Sequence, residues 1–100
     1  MAAFICFMHG DAQAEVDDAT WEAFFADLRA AGGFLGGSAI GDGVCLGQRD
    51  PLPEVTRSLV GYLRIEARDL SDAKKLMAKN PVLVAGGTVE IRALPRTGEA

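Results

Sequence analysis

The only histidine of the 100-residue chain, His9, ends an apolar run and is followed by Gly10 and Asp11. An imidazole titrates near neutrality and a carboxylate within reach can orient it, so His9 and Asp11 form a candidate acid/base pair. The competing role for His9 is a strand-end side chain bonded to loop backbone. Tyr62 and Arg64 in one stretch, and Glu90 and Arg92 in another, alternate with apolar residues. Two guanidinium forks and a phenolic hydroxyl on one strand face could orient a carboxylate-bearing or phenolic ligand, which makes these four the candidate substrate-binding residues. A polar network across an interface, or simple solvated charge, is the alternative for them.

Other chemistries find little support. Cys6 and Cys45 are the only cysteines, no C-x-x-C occurs, and one histidine cannot complete a zinc site; both thiols are expected buried and reduced, with no metal. Gly41 to Gly47 misses G-x-G-x-x-G by one position and no G-K-[ST] follows, so a nucleotide loop is not indicated. Ser38 and Ser58 lack the G-x-S-x-G setting of a serine hydrolase, and Asp17-Asp18 suits an exposed helix start better than a metal pair. No cofactor is expected.

The elements that must position these groups follow from periodicity. Phe4 to Met8 is apolar at every position, the pattern of a central strand covered on both faces, and Gly10-Asp11 stops it. Asp17, Asp18 and Thr20 offer cap oxygens before Trp21, Phe24, Phe25 and Leu28, which recur at helical spacing and are expected in the core. This predicts a helix over 18–31, closed by Gly32-Gly33. Between Phe34 and Gly47, two apolar stretches flank Gly41-Asp42-Gly43, predicting a second strand with a hairpin extension. Pro51 and Pro53 predict a loop. Leu59 to Glu66 alternates as a third strand; Ser71 starts a helix through Lys79, ended by Asn80-Pro81; Val89 to Ala93 alternates as the last strand.

The order strand, helix, strand, strand, helix, strand is the ferredoxin-like α+β plan: a four-stranded antiparallel sheet with two helices on one face. Two helices leave the other face bare although the first strand is apolar on both sides. A second copy packing sheet against sheet, around a cavity, is therefore expected, a homodimer. Length predicts one domain over 1–95, with 96–100 a frayed tail. Half the residues are apolar (49%), and Lys plus Arg number 10 against 14 Asp plus Glu, for a net charge of −4. That composition suits a packed domain and makes nucleic acid a poor partner. The Ala2 to Met8 run is too short to cross a membrane and lacks a basic residue before it, so it reads as a strand rather than a signal peptide; a cytoplasmic location is expected.

The register of several segments resembles the YCII-related family, including the branch named for an Asp-Gly-Pro-Phe motif. The likeness covers nearly the whole chain. It rests on Phe4 to Asp11, on Leu28-Arg29-Ala30-Ala31-Gly32 leading to Gly36-Gly37, on Val60 to Glu66, on Asp69 to Ala73, on Asn80-Pro81 and on Gly86 to Arg92. The resemblance implies dimeric α/β barrels of ferredoxin-like chains. The branch motif is represented only by Asp50-Pro51-Leu52-Pro53-Glu54, without its glycine and aromatic. A catalytic pair of other members, a His of the first helix region with an Asp before a late proline, is not carried over, because Asn80 stands at the late position and the first helix has no histidine. The expected function is binding of a small anionic or aromatic molecule in an inter-subunit cavity, with cofactor-independent isomerase- or lyase-type chemistry at His9. A noncatalytic ligand-binding dimer and a cofactor-free monooxygenase-like protein stand as alternatives.

Overall fold

The computed structural model describes residues 1–95; the expected frayed tail, 96–100, lies outside them. The chain forms β1 (Ala2–His9), α1 (Asp18–Ala30), β2 (Phe34–Ala39), β3 (Leu59–Ala67), α2 (Leu70–Met77), a short α3 (Pro81–Val84) and β4 (Val89–Leu94). All pairings are antiparallel and the sheet order is β2-β3-β1-β4, the ferredoxin-like arrangement with β1 central.

Alternation along the two central strands decides which face is covered. Phe4, Cys6 and Met8 of β1 are buried, as are Leu63, Ile65 and Ala67 of β3; Phe24 and Leu28 of α1, Ala73 and Met77 of α2, and Val82 of α3 close over them. Ile5 and Phe7 face the other way and stay half-buried in the single chain, so the apolar run of β1 is covered on one face only.

Local capping fixes the helices. The Asp17 carboxylate, rather than Asp18 or Thr20, caps α1, its Oδ1 accepting from the Thr20 amide at 2.9 Å and from the Thr20 hydroxyl at 2.7 Å. α2 starts one residue before the expected Ser71, because Asp69 caps it: Oδ1 accepts from the Asp72 amide at 2.8 Å, while Asp72 Oδ2 accepts from the Arg68 amide at 3.1 Å. This reciprocal exchange resembles a capping box. Asn80-Pro81 ends α2 and also opens α3, with the Asn80 side chain accepting from the Val82 amide at 2.9 Å and Pro81 in the first turn.

The hairpin expected about Gly41-Asp42-Gly43 does not form: Val44 to Gly47, its return leg, carries no strand structure. The Ile40 amide donates to the Val60 carbonyl at 3.0 Å, and beyond it the two legs, 40–43 and 55–58, separate around an open groove. Pro51 and Pro53 cannot donate to a ladder, and Gly41, Gly43 and Gly47 have no side chains to pack, so residues 40–58 run without strand structure. Their apolar side chains stay in water: Val44 is 84% and Leu46 93% exposed. Cys45 lies in this segment and is half-buried, against the burial expected for it; Cys6 is fully buried, and burial pushes its thiol up to about 11.

Candidate functional site

Two places on the molecule could do chemistry, one on each face of the sheet. On the bare face, strand register assembles the residues that the sequence singles out. Phe7 lies opposite Tyr62 of β3 and Glu90 of β4; Ile5 lies opposite Arg64 and Arg92. His9 stands at the end of β1, where the β1–β3 pairing shifts past Val60. Its Nε2 lies 3.0 Å from Glu90 Oε1, and Glu90 Oε2 receives Arg92 Nη1 at 3.3 Å. Glu90 is the carboxylate that holds the imidazole. With Glu90 as acceptor, Nε2 carries the proton and Nδ1 keeps the lone pair of the neutral ring. The bond from His9, and after it the bond from Arg92, holds the Glu90 carboxyl below its ordinary range.

Asp11, expected beside His9, bonds elsewhere. Its Oδ1 accepts from the Thr88 amide at 2.8 Å and its Oδ2 from the Thr88 hydroxyl at 2.6 Å. The hydroxyl bond and then the amide bond hold its carboxyl below the usual carboxylate range. Asp11 thus pins the β1–α1 loop to the start of β4, together with a bond from the Gln13 amide to the Ala85 carbonyl at 2.8 Å. The loop can approach because residue 87 is glycine: a Cβ there would stand 3.0 Å from Ala12 N and 2.7 Å from Val82 Cγ1. Tyr62 and Arg64 share the bare face with the His9–Glu90–Arg92 chain, one strand further across, and no hydrogen bond ties them to it.

On the helical face, an apolar cavity of about 660 Å³ opens between α1, the β1–α1 loop and the β2–β3 edge. Trp21, Phe25 and Arg29 recur every four residues and form one stripe of α1 along its wall, while Phe24 and Leu28, on the adjacent stripe, sit in the core. The Trp21 and Phe25 rings lie 5.5 Å apart, Phe25 stacks on Phe34 at 5.4 Å and 19°, and the Arg29 guanidinium lies over Phe34 at 5.5 Å. Thus Trp21 and Phe25, expected as core, are half-buried cavity walls.

The cavity exists because β2 offers almost no side chains opposite that stripe. An extra residue at Leu35 shifts the β2–β3 register, so that after Phe34 the positions facing α1 are Gly37 and Ala39, paired with Leu63 and Gly61. A Cβ on Gly37 would run into the backbone carbonyl of Tyr62 on the paired strand, so the close approach of the strands requires glycine there. Met8, Leu63 and Val82 contribute to the lining, and Ala12, Ala14 and Val16 bring in the pinned loop. The stripe 21/25/29 was the signal available in the sequence: a helix face that begins with two aromatics and ends in a guanidinium is poorly suited to full burial.

Asn80, where the resemblance to YCII-related proteins would put an Asp, is fully buried as the cap of α3, and the only histidine, His9, bonds to Glu90 instead. Among the described residues, no group of three or more His, Cys, Asp or Glu could hold a metal ion, and no helix is long and apolar enough to cross a membrane.

No protein-family model matches the chain, and no curated protein matches it significantly. Among solved structures, it is similar to 5-chloro-2-hydroxyhydroquinone dehydrochlorinase (TftG) from Burkholderia phenoliruptrix, in complex with 2,5-dihydroxybenzoquinone. The TM-score is 0.59, the sequence identity 18%, and 93% of each chain is covered. What the two proteins share at that identity is the fold, a ferredoxin-like α+β chain over nearly its whole length.

Proposed function

We propose that this chain binds a small planar, largely apolar molecule in the cavity between α1 and the sheet. The observation that carries the reading is the pairing of an aromatic wall, Trp21, Phe25 and Phe34, with a strand edge made of Gly36, Gly37 and Ala39. Flat rings stack on such a wall, and a cavity of about 660 Å³ lies within the usual range for small-ligand sites. The TftG structure, of the same fold, holds a six-membered quinone ring, which supports a ligand of that shape. Trp21 is the only tryptophan, so its indole N–H gives one assignable resonance at the cavity wall. Titration with naphthalene-2-carboxamide should shift that resonance saturably, and Ala39→Leu, which fills the space, should abolish the shift. A resonance that stays still would sink the reading.

A second reading is favoured by the His9–Glu90–Arg92 chain beside Phe7 and Tyr62. Here the protein is a homodimeric relative of the YCII-related family, joined through the bare sheet face, and an inter-subunit cavity uses His9 for proton transfer, with Glu90 orienting the ring. Asp11 belongs to the loop anchor in this reading, while Tyr62, Arg64 and Arg92 place the substrate. Light scattering should give twice the chain mass, and Phe7→Arg should return it to one. A wild-type monomer at micromolar concentration would remove the inter-subunit cavity, and a noncatalytic role would leave any turnover intact in His9→Ala.

A further inference from the structure

We infer that Arg29 selects the ligand of the helical-face cavity for negative charge, so that the molecule bound is a planar aromatic anion; this rests on the cavity reading above. Its ring would lie inside against Trp21 and Phe25, with its charged oxygens at the exposed mouth beside the guanidinium.

Three observations converge on Arg29. Among the described residues it is the one formally charged residue that lines the cavity; the remaining lining is apolar apart from Ser38 and Tyr62, which pair at strand positions whose side chains alternate to the bare face. The Ser38 hydroxyl is already engaged, donating to the Ala39 carbonyl at 2.9 Å. Second, no carboxylate of the described residues forms an ion pair with Arg29. Its neighbours three and four positions back along α1 are Phe25 and Ala26, and glycines follow at 32 and 33, none of them acidic, in a chain with 14 acidic residues. Third, the guanidinium is held over the Phe34 ring at 5.5 Å, at the end of the stacked row Trp21, Phe25, Phe34. A guanidinium that lies on an aromatic face keeps its N–H edges free, and those edges match the two oxygens of a carboxylate.

A purely structural role also exists for this residue: a cation in the last turn of α1, stacked on Phe34, stabilises the helix end. The two roles differ in what they do to selectivity. Naphthalene-2-carboxylate and naphthalene-2-carboxamide have nearly the same shape and differ in charge, and both are read at the Trp21 indole resonance. We expect the wild-type chain to bind the carboxylate about tenfold more tightly than the amide at low salt, with the gap closing as sodium chloride is raised. Arg29→Met keeps most of the stem; it should bring the carboxylate to the affinity of the amide and leave the amide unchanged. Arg29→Lys should keep part of the preference, because the charge stays while the fork is lost. Equal wild-type affinities, or an Arg29→Met variant that weakens both probes alike, would overturn the inference and leave the cavity reading standing. If neither probe moves Trp21, both fall together.

Discussion

Replacing Asn80 by alanine should be among the most damaging single changes in the helical layer. Asn80 is fully buried, and its side-chain oxygen is the acceptor for the Val82 amide at 2.9 Å. Loss of an N-cap costs about 1 kcal/mol where water can take over the freed N–H; here the Val82 amide is buried, so the cost is that of an unsatisfied buried donor, about 1–3 kcal/mol. The amide nitrogen on the other side contributes little, since its partner is the weakly accepting Met77 sulfur at 3.8 Å. Even about 1–3 kcal/mol is a large share of the roughly 5–15 kcal/mol that holds a typical domain together. At about 1 kcal/mol per molar urea for a chain of this size, the unfolding midpoint of Asn80→Ala should fall by about 1 M or more. Asn80→Asp keeps the acceptor but buries a carboxyl with no cation beside it. Its folded-state pKa would rise, so this variant should be most stable below the carboxylate range and lose stability as pH rises through it. An Asn80→Ala midpoint within about 0.5 M of wild type would refute the argument, and would mean that water reaches the Val82 amide.

Other consequences are as direct. Cys45 should react with a thiol reagent in the native protein, whereas Cys6, buried and with its pKa pushed up to about 11, should react only when the chain unfolds; equal rates would contradict the burial of β1. Asp11→Ala should speed amide hydrogen exchange at Gln13 and Thr88 with little change in β1, since the loop loses both of its bonds to Thr88. Glu90 and Asp11 are held below the usual carboxylate range, so as pH falls through that range the unfolded chain takes up protons before the folded one does. Stability is therefore present above the range and lost as pH falls through the folded-state values. Glu90→Gln should flatten part of that acid limb in urea titrations at a series of pH values, and an unchanged limb would argue against the His9–Glu90 bond.

The plan of the fold was legible where the hydrophobic period was clean. β1 announces itself by an unbroken apolar run, α1 by apolar residues at helical spacing, and β3 and β4 by apolar residues that alternate with polar ones in the sequence. The faces of Tyr62, Arg64, Glu90 and Arg92 follow from the same alternation, and the structure places them together with His9. Pairing partners were less visible. Asp11 is two residues from His9 in the sequence, yet Glu90, 81 residues away, reaches the imidazole, because β4 lies beside β1. The turn chemistry of Gly41-Asp42-Gly43 pointed to a hairpin, but turn residues specify a bend only when the flanking segments pair, and Val44 to Gly47, the return leg, forms no strand and leaves Val44 and Leu46 in water. The cavity was hidden for a different reason: aromatic residues at helical spacing look like core, and whether they are packed depends on what stands opposite them. Here a one-residue register shift at Leu35 puts Gly37 and Ala39 there.

The strand order β2-β3-β1-β4 also interleaves the two halves of the chain. β1 and β2 come from before the 40–58 segment, β3 and β4 from after it, and every ladder in the sheet joins a strand of one half to a strand of the other. Neither half can therefore build a pair of hydrogen-bonded strands alone; each is a strand–helix–strand unit whose edges are satisfied only by its counterpart. During synthesis, the first half must wait for the second before any sheet exists, which raises the sequence separation of the contacts that nucleate folding. The same interleaving makes the long linker dispensable as a covalent tie. Cutting the chain between Arg49 and Arg57, both exposed, should leave two fragments that stay associated and that reassemble when mixed.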